Sequence, residues 1–312
     1  MRSTRFALAA ALLLPCSTAL SQAAPSLAGG LRLDPDAIKE WKVPWENTRP
    51  RDPFPDQQGH IWFVGQGGNY VANLNPANGE FKRFEIDAGT NPHNLVIDRN
   101  NTPWFTGNRN GRIVRLDAAT GKLTTIMMPD STVRDPHTMT FDQKGNVWFT
   151  AQQSNVVGHL TVADGKIRLW RMPAGRSLPY GIVIDSKGRP WFDEFGTNKI
   201  GMIEPSTGEL KEITLPNERS RPRRIAITSD DVIWYGDYTR GYLGRIDPAT
   251  SKVEEFAMPS GAASLPYAMT TDDHDRIWVA ESGVRPNKLV AFDPKTRKWV
   301  ASVPVGENAP NT

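Results

Sequence analysis

The 312-residue sequence predicts an all-β protein, a single β-propeller of six blades with four antiparallel strands in each blade. Two observations lead to this prediction. A tryptophan followed by Phe, Tyr or Val recurs six times, every 42 to 44 residues, from Trp62 to Trp278. Each interval holds short strand-like runs separated by turn residues, without helical periodicity. Four strands repeated every 40–45 residues or so match the length of a propeller blade.

Residues 178–216 show the elements of one blade in order. Residues rich in Gly, Asn, Ser and Pro separate its strands, as expected for tight turns and hairpin loops. The predicted strands cover residues 181–185, 189–194, 199–203 and 210–215.

The pattern of the outermost strand occurs seven times, once more than the tryptophan repeat. The additional copy covers residues 38–44, before the first blade, and the last copy covers residues 298–304. Propellers commonly close their ring with a strand donated from one terminus, which removes open edges. We therefore expect residues 38–304 to form the propeller with such a donated strand. Seven blades are the alternative, although residues 305–312 are too few for three more strands.

The first residues have the features of a secretory signal peptide. Arg2 and Arg5 precede an apolar run over residues 6–14, and small residues at 21–23 resemble a cleavage site. The prediction is a removed signal peptide over residues 1–23, an extension over 24–37, and a periplasmic or secreted protein.

A lipoprotein signal is the alternative at this end of the chain, because Cys16 follows two leucines. Pro15 fits poorly at the preceding position, where a small residue is expected. No later segment has 18 consecutive apolar residues, so we expect no membrane span.

Composition excludes several classes of function. Cys16 is the only cysteine, so a mature chain would have no disulfide, thiolate zinc site or cysteine nucleophile. The 37 basic and 34 acidic residues nearly balance, and removal of Arg2 and Arg5 brings the charge closer to zero. Nothing therefore favours a nucleic-acid partner. We expect a monomer that acts on a small molecule.

Aligning the repeats with one another reveals a first ring of side chains. In each repeat, the residue 11 positions before the tryptophan follows a proline and opens the innermost predicted strand. These side chains should therefore face the central channel at one end. They are Arg51, His93, His137, Tyr180, Arg223 and Tyr267.

A second set of positions lies three residues after each tryptophan, where the second strand ends. Antiparallel neighbours bring the end of this strand beside the start of the first strand, so both sets should surround one mouth. We call these positions the second ring: Gly65, Gly107, Ala151, Glu194, Asp237 and Glu281. Polar variation at both rings, on a constant framework, is typical of a functional site. The alternative is a solvated mouth with no function.

Residues 179–201 carry a Pro-Tyr-Gly-Ile, Trp-Phe-x-Glu and Asn-Lys-Ile-Gly cadence. In this cadence, and over residues 38–304, the sequence resembles the streptogramin B lyase (virginiamycin B lyase) family. The resemblance implies a lyase that opens a cyclic depsipeptide at its ester with bound Mg²⁺. In that family, two Pro-His turns of neighbouring blades carry the site, with an acid two residues before the second histidine. It implies His137 as general base, His93 as its metal-linked partner and Asp135 as the acid.

The sequence departs from the family pattern at one acidic position. After Trp148-Phe149, the family's glutamate is replaced by Ala151 or Gln152. The family also has seven blades, with its Pro-His turns in the last two. Glu194, in the next blade, is the nearest carboxylate along the repeat that can substitute.

These residues lead to a first hypothesis of metal-assisted elimination. Mg²⁺ or Ca²⁺ would bind oxygen ligands and polarise a carbonyl while a histidine removes a proton. Two arginines would bind an anionic group, and two tyrosines would face a ring or sugar. The predicted metal ligands are Asp135, Glu194, Asp237 and Glu281; the predicted substrate-binding residues are Arg51, Tyr180, Arg223, Tyr267 and Gln152.

Two alternatives stay open at this point. The second-ring carboxylates suit a metal-dependent lactonase or esterase in which water is the nucleophile. A propeller that only binds a ligand or another protein is equally compatible with the fold.

Overall fold

A computed structural model describes residues 38–306 as 24 strands in six four-stranded antiparallel sheets. The predicted six-bladed, all-β propeller is confirmed. Blade 1 contains β1 (Pro50–Pro55), β2 (Ile61–Gly65), β3 (Tyr70–Asn75) and β4 (Glu80–Glu85). Blade 2 contains β5 (Pro92–Ile97), β6 (Pro103–Gly107), β7 (Arg112–Leu116) and β8 (Leu123–Met127). Blade 3 contains β9 (Pro136–Phe141), β10 (Val147–Ala151), β11 (Val156–Thr161) and β12 (Lys166–Arg171).

The second half of the chain repeats the same arrangement. Blade 4 contains β13 (Pro179–Ile184), β14 (Pro190–Glu194), β15 (Lys199–Glu204) and β16 (Glu209–Thr214). Blade 5 contains β17 (Pro222–Ile227), β18 (Ile233–Asp237), β19 (Tyr242–Ile246) and β20 (Val253–Ala257). Blade 6 contains β21 (Pro266–Thr271), β22 (Ile277–Glu281), β23 (Asn287–Asp293) and β24 (Lys298–Val305), preceded by a 3-10 helix at Gly261–Ser264. No helix among residues 38–306 has the length and apolar character needed to cross a bilayer.

The predicted donated strand is wrong. Residues 38–44 form no strand, and each sheet is built from four consecutive strands of the chain. Val43 and Trp45 pack instead against the buried Tyr70 of blade 1. The backbone N–H of Gly306 donates to the Glu40 carboxylate over 2.6 Å, so the two ends of the described chain meet. This segment is therefore held by apolar packing rather than by the predicted strand pairing.

The repeated aromatic residues form the core between blades, as predicted. Five of the six repeat tryptophans are buried, and Trp278 is half-buried. The aromatic residue after the tryptophan lies over a glycine of the third strand in three blades. A Cβ on Gly201 would lie 2.4 Å from the Phe192 ring, so only glycine fits there. The equivalent pairs are Phe149 with Gly158 and Tyr235 with Gly244.

An aspartate six residues before most repeat tryptophans anchors the turn between the first two strands. The Asp185 carboxylate is fully buried and accepts hydrogen bonds from Trp191 Nε1 at 3.0 Å and Arg189 Nε at 2.7 Å. The same bond to the indole recurs at Asp56, Asp98 and Asp272, and a threonine replaces the aspartate at Thr228.

We expect Asp185→Ala to lower the free energy of unfolding by about 3 kcal/mol, because it removes the carboxylate partner of a part-buried guanidinium and of a buried indole N–H. Urea denaturation followed by tryptophan fluorescence measures this change. Asp164→Ala is the control, since that carboxylate lies exposed on an outer hairpin. Equal losses of unfolding free energy for the two substitutions would show that the buried Asp185 carboxylate stabilises the fold no more than an exposed one.

Candidate functional site

A β-bulge in every innermost strand positions the candidate site. In all six blades, pairing between the first two strands shifts register near the start of the inner strand. An added residue bends the strand and re-aims its side chains. The inner strands are neighbours around the centre. In blades 1, 2 and 5, two consecutive residues, the first-ring residue and the polar one after it, consequently reach the network at the channel.

The two Pro-His turns bring their imidazoles together. The ring centroids of His93 and His137 lie 3.6 Å apart, and the Tyr180 ring lies 4.1 Å from His137. Both histidines are nearly buried, with 4% and 3% of their surface exposed. His137 Nδ1 lies 3.0 Å from Thr138 Oγ1. In the tautomer with the proton on Nδ1, Nε2 of His137 is the nitrogen that can accept a proton.

Burial, reinforced by positively charged neighbours, favours the neutral form of both imidazoles. Burial lowers the pKa of His93 well below its usual value, and the charges of Arg51 and Arg224 lower it further. Burial, His93 and Arg224 likewise hold the pKa of His137 well below its ordinary value, although Asp52 opposes them. A neutral imidazole can accept a proton, which a general base requires.

Hydrogen bonds connect the remaining ring residues across the channel. The Tyr180 and Tyr267 hydroxyls lie 3.1 Å apart, and Arg51 Nη2 donates to the Tyr267 hydroxyl over 2.6 Å. Burial alone would raise the pKa of Tyr267, but Arg224 and Arg51 bring it below its ordinary value. Arg223 completes the ring, with its guanidinium 4.4 Å from the Tyr267 ring centre. The structure thus gathers all six predicted first-ring residues.

The sequence interpretation missed the residues that follow the ring positions. Arg224 Nη2 donates to both carboxylate oxygens of Asp52, at 3.0 and 3.3 Å, joining blades 5 and 1. Asn94 Nδ2 donates to the same carboxylate at 3.0 Å. Burial would raise the pKa of Asp52, but Arg224, Arg51 and the Asn94 bond lower it overall. The sequence signal that could have identified these residues is a polar residue directly after each Pro-Arg or Pro-His pair.

The second-ring carboxylates are placed differently from the prediction. Glu194, Asp237 and Glu281 pair across the sheet with the prolines that precede the first-ring residues. All three are fully buried. Asp237 accepts hydrogen bonds from the backbone N–H of Arg221 and from Arg240. Glu281 binds the backbone N–H and hydroxyl of Ser260 at 2.9 and 2.6 Å. Asp237 and Glu281 therefore anchor loops, and the Glu194 carboxylate accepts a hydrogen bond from the Thr197 hydroxyl at 3.1 Å.

Asp135 and Gln152 also lie in loop contacts. Asp135 accepts hydrogen bonds from the backbone N–H groups of Gln153 and Ser154 and from the Ser154 hydroxyl. The Gln152 carbonyl accepts the backbone N–H of Asn155 at 3.2 Å, which closes the turn after β10.

The donor set predicted for a metal ion is not assembled. Within residues 38–306, the single group of three acidic or histidine side chains with ligand spacing is Asp272, Asp273 and His274. Asp272 is the turn aspartate that binds Trp278, and the other two are exposed. Asp135, Asp237 and Glu281 bind loop donors, and Glu194 has one buried oxygen, Oε1, without a hydrogen-bond partner. Because the oxygens of these four residues do not converge within ligand spacing, as arranged they do not fit Mg²⁺ or Ca²⁺ as one site.

Glu194 provides a pH-dependent prediction. Burial raises its pKa to about 7, and Glu212 adds to the rise, although hydrogen bonds from Ser177 and Thr197 oppose it. Between the ordinary pKa of 4.5 and 7, the folded protein keeps a proton that the unfolded chain releases. Stability from this group is complete below pH 4.5 and is lost as pH rises through 7, a loss of roughly 3 kcal/mol.

Glu194→Gln removes this titration. The wild type loses this stability as the pH rises and the variant does not. The free energy of unfolding of the variant, relative to that of the wild type, should therefore increase by roughly 3 kcal/mol from pH 4.5 to 8. Urea denaturation across this pH range measures the difference. Parallel stability curves for the two proteins would contradict the assigned titration.

Comparisons with known proteins agree with this architecture. The Virginiamycin B lyase family matches residues 29–285 of the chain. A search of curated proteins gave no match. One similar solved structure is a streptogramin B lyase, with 26% identity, a TM-score of 0.78, and 86% of this chain and 87% of that chain covered.

A second solved structure is a catalytically inactive histidine-to-alanine variant of virginiamycin B lyase from Staphylococcus aureus with quinupristin. It has 26% identity and a TM-score of 0.76, covering 86% of this chain and 88% of that one. A putative 6-phosphogluconolactonase from Bacteroides uniformis, at 14% identity and a TM-score of 0.58, shares the fold alone; the alignment covers 78% of this chain and 80% of that one.

Proposed function

The chain belongs to the virginiamycin B lyase family, and we propose on this basis that it is a carbon–oxygen lyase. Its substrate is an ester-containing small molecule bound at the first ring. The observation that carries the proposal is the contact between two Pro-His turns of neighbouring blades. It places the ring centroids of His93 and His137 3.6 Å apart, beside the Tyr180 ring. A base positioned next to hydrogen-bond donors is what proton removal beside a carbonyl requires.

The proposed reaction is a β-elimination. His137 takes a proton from the carbon next to a carbonyl, and the electron pair left behind forms a carbon–carbon double bond. The carbon–oxygen bond at the neighbouring carbon breaks, and its electrons leave with the ester oxygen as a carboxylate. Tyr267 and Arg51 donate hydrogen bonds to the negative charge that develops on the carbonyl oxygen.

No step of this mechanism passes through a metal ion. The alternative of metal-assisted hydrolysis needs the second-ring carboxylates around one ion, whereas Asp237 and Glu281 hold separate loops. Binding of Mg²⁺ or Ca²⁺ stays a prediction, which calorimetric titration of the purified protein tests directly.

Mass spectrometry of the product distinguishes the possible functions. Quinupristin, the ligand of the similar structure, is the first compound to test, followed by a panel of lactones and cyclic esters. Elimination within a cyclic ester opens the ring without changing the mass, whereas hydrolysis adds the mass of one water. A ring-opened isomer supports the lyase. A hydrated product contradicts it, and absence of any product across the panel favours a propeller that only binds.

Export as a monomer to the periplasm or the medium is also part of the proposal. The predicted signal peptide over residues 1–23 lies outside the described residues, as does Cys16. Cell fractionation, with the mass of the mature N-terminus, tests both the export and the lipoprotein alternative.

A further inference from the structure

The Arg223 guanidinium is enclosed by aromatic rings. Its central carbon lies 4.4 Å from the ring centres of Tyr238 and Tyr267, and 5.1 and 5.2 Å from those of Phe195 and Tyr180. Rings packed on a guanidinium fix its plane and favour its charge. The five N–H groups therefore point in set directions before any ligand binds.

This guanidinium has no hydrogen-bond acceptor within the described part of the chain. Its Nε is buried and unpartnered, and neither terminal nitrogen donates to a protein group among residues 38–306. Arg224 differs, because its guanidinium binds the Asp52 carboxylate. Arg51 differs too, because it donates to Gln66 and Tyr267. Nε of Arg223 is a buried donor without an acceptor, as is Nε of Arg224, but the terminal nitrogens of Arg223 also have no acceptor among residues 38–306, so its fork is an open site for an acceptor.

The first ring and its bulge neighbours carry an excess of positive charge. Three guanidiniums, those of Arg51, Arg223 and Arg224, face one carboxylate, that of Asp52, while both histidines are neutral. Asp193 is buried with a partnerless Oδ1, and burial raises its pKa well above the ordinary value, although a bond from the Gly181 N–H and the charges of Arg224 and Arg223 oppose the rise, so burial disfavours its charged form. An anion is the ligand that balances this charge.

We propose that Arg223 binds a carboxylate of the ligand, and that the substrate is therefore an anionic molecule with its carboxylate on an aromatic or apolar ring. The statement that the bound molecule is a substrate rests on the proposed function, but the carboxylate-binding site does not. A carboxylate accepts two parallel hydrogen bonds from the fork. The tyrosine and histidine rings around it supply flat, apolar walls for the rest of the molecule.

Benzoate and benzamide are the matched probes, because they share a shape and differ in charge. Calorimetric titration of the purified protein should show benzoate binding at least tenfold tighter than benzamide. Arg223→Met should weaken benzoate binding at least tenfold and leave benzamide unchanged. Arg168→Met is the control, since Arg168 stacks on Trp170 at 4.4 Å on an outer strand, away from the ring.

Several results would overturn the proposal. These are equal affinity for the two probes, benzoate binding that survives Arg223→Met, or tighter binding of phenylphosphonate than of benzoate. If Arg223→Met does not fold, Arg223→Lys replaces it, because lysine keeps the charge but loses the fork. It should bind benzoate more weakly than the wild type and should still prefer benzoate to benzamide.

The outcomes for the two proposals are separable, because benzoate binding requires no turnover. Binding that depends on Arg223, without elimination of any ester, supports the carboxylate site and contradicts the lyase. Elimination of neutral esters by a protein that does not discriminate benzoate from benzamide supports the lyase and overturns the carboxylate site.

Discussion

Replacing His137 by alanine is expected to reduce elimination at least about 100-fold, because general-base catalysis contributes roughly 10²–10⁴ in rate. Its imidazole is the base in the proposed mechanism and stacks between His93 and Tyr180. The rate of product formation measures the effect, with thermal unfolding recorded alongside to show that the variant folds.

His159→Ala is the matched control for this experiment. His159 is also a partly buried histidine stacked on an aromatic ring, with its centroid 4.4 Å from that of Trp148, but it lies on β11, outside the first ring. The control should retain wild-type turnover. A folded His137→Ala protein with an unchanged rate would rule out this residue as the base.

Replacing Asp52 by alanine should lower the free energy of unfolding by about 3–5 kcal/mol. The substitution leaves the Arg224 guanidinium, whose side chain is 13% exposed, without its carboxylate, and it also removes the acceptor of Asn94. Urea denaturation measures the loss. The double variant Asp52→Ala with Arg224→Met should recover most of it, because no unpaired charge remains.

An exposed ion pair provides the comparison for Asp52. Asp87 pairs with Arg112 at 2.7 Å, but its side chain is 58% exposed. Asp87→Ala should therefore cost less than about 1 kcal/mol. Similar losses for the two aspartates, or a double variant no more stable than Asp52→Ala, would show that the cross-channel pair contributes little to stability.

The fold was predictable because its cause is periodic. The tryptophan recurs every 42 to 44 residues in all six blades, the turn aspartate precedes it in five of them, and a glycine lies below the next aromatic residue in three. The repeat pattern gave a wrong prediction for residues 38–44. This segment has the composition of an outer strand, but whether it pairs or packs depends on a partner edge that the local sequence does not reveal.

The site was predictable at the first ring and not beyond it. Counting back from each tryptophan located His93 and His137, because the repeat fixes where an inner strand begins. Strict alternation would send Asp52 and Arg224 away from their ring neighbours, and the bulge reverses this expectation. A bulge is a property of pairing between two strands, so single-strand patterns do not display it.

The contacts of the second-ring carboxylates could not be predicted for a related reason. Glu194 and Glu281 lie opposite prolines, and consecutive residues of a strand point to opposite faces. The sequence located the ends of these strands correctly but did not show which loop donors would meet their carboxylates, such as Ser260 at Glu281. Those contacts depend on loop conformation.

The uninterrupted order of strands within each blade has a consequence for the connectivity of the chain. Because no strand crosses between the first and last blades, the position at which the polypeptide begins is not fixed by the architecture. Glu40 and Gly306 already touch, so a short linker can join the chain near residue 40 to residue 306, and new termini can be opened in the loop between β12 and β13. Such a circular permutant retains every sheet intact, and the propeller is in this sense a closed cycle of interchangeable starting points.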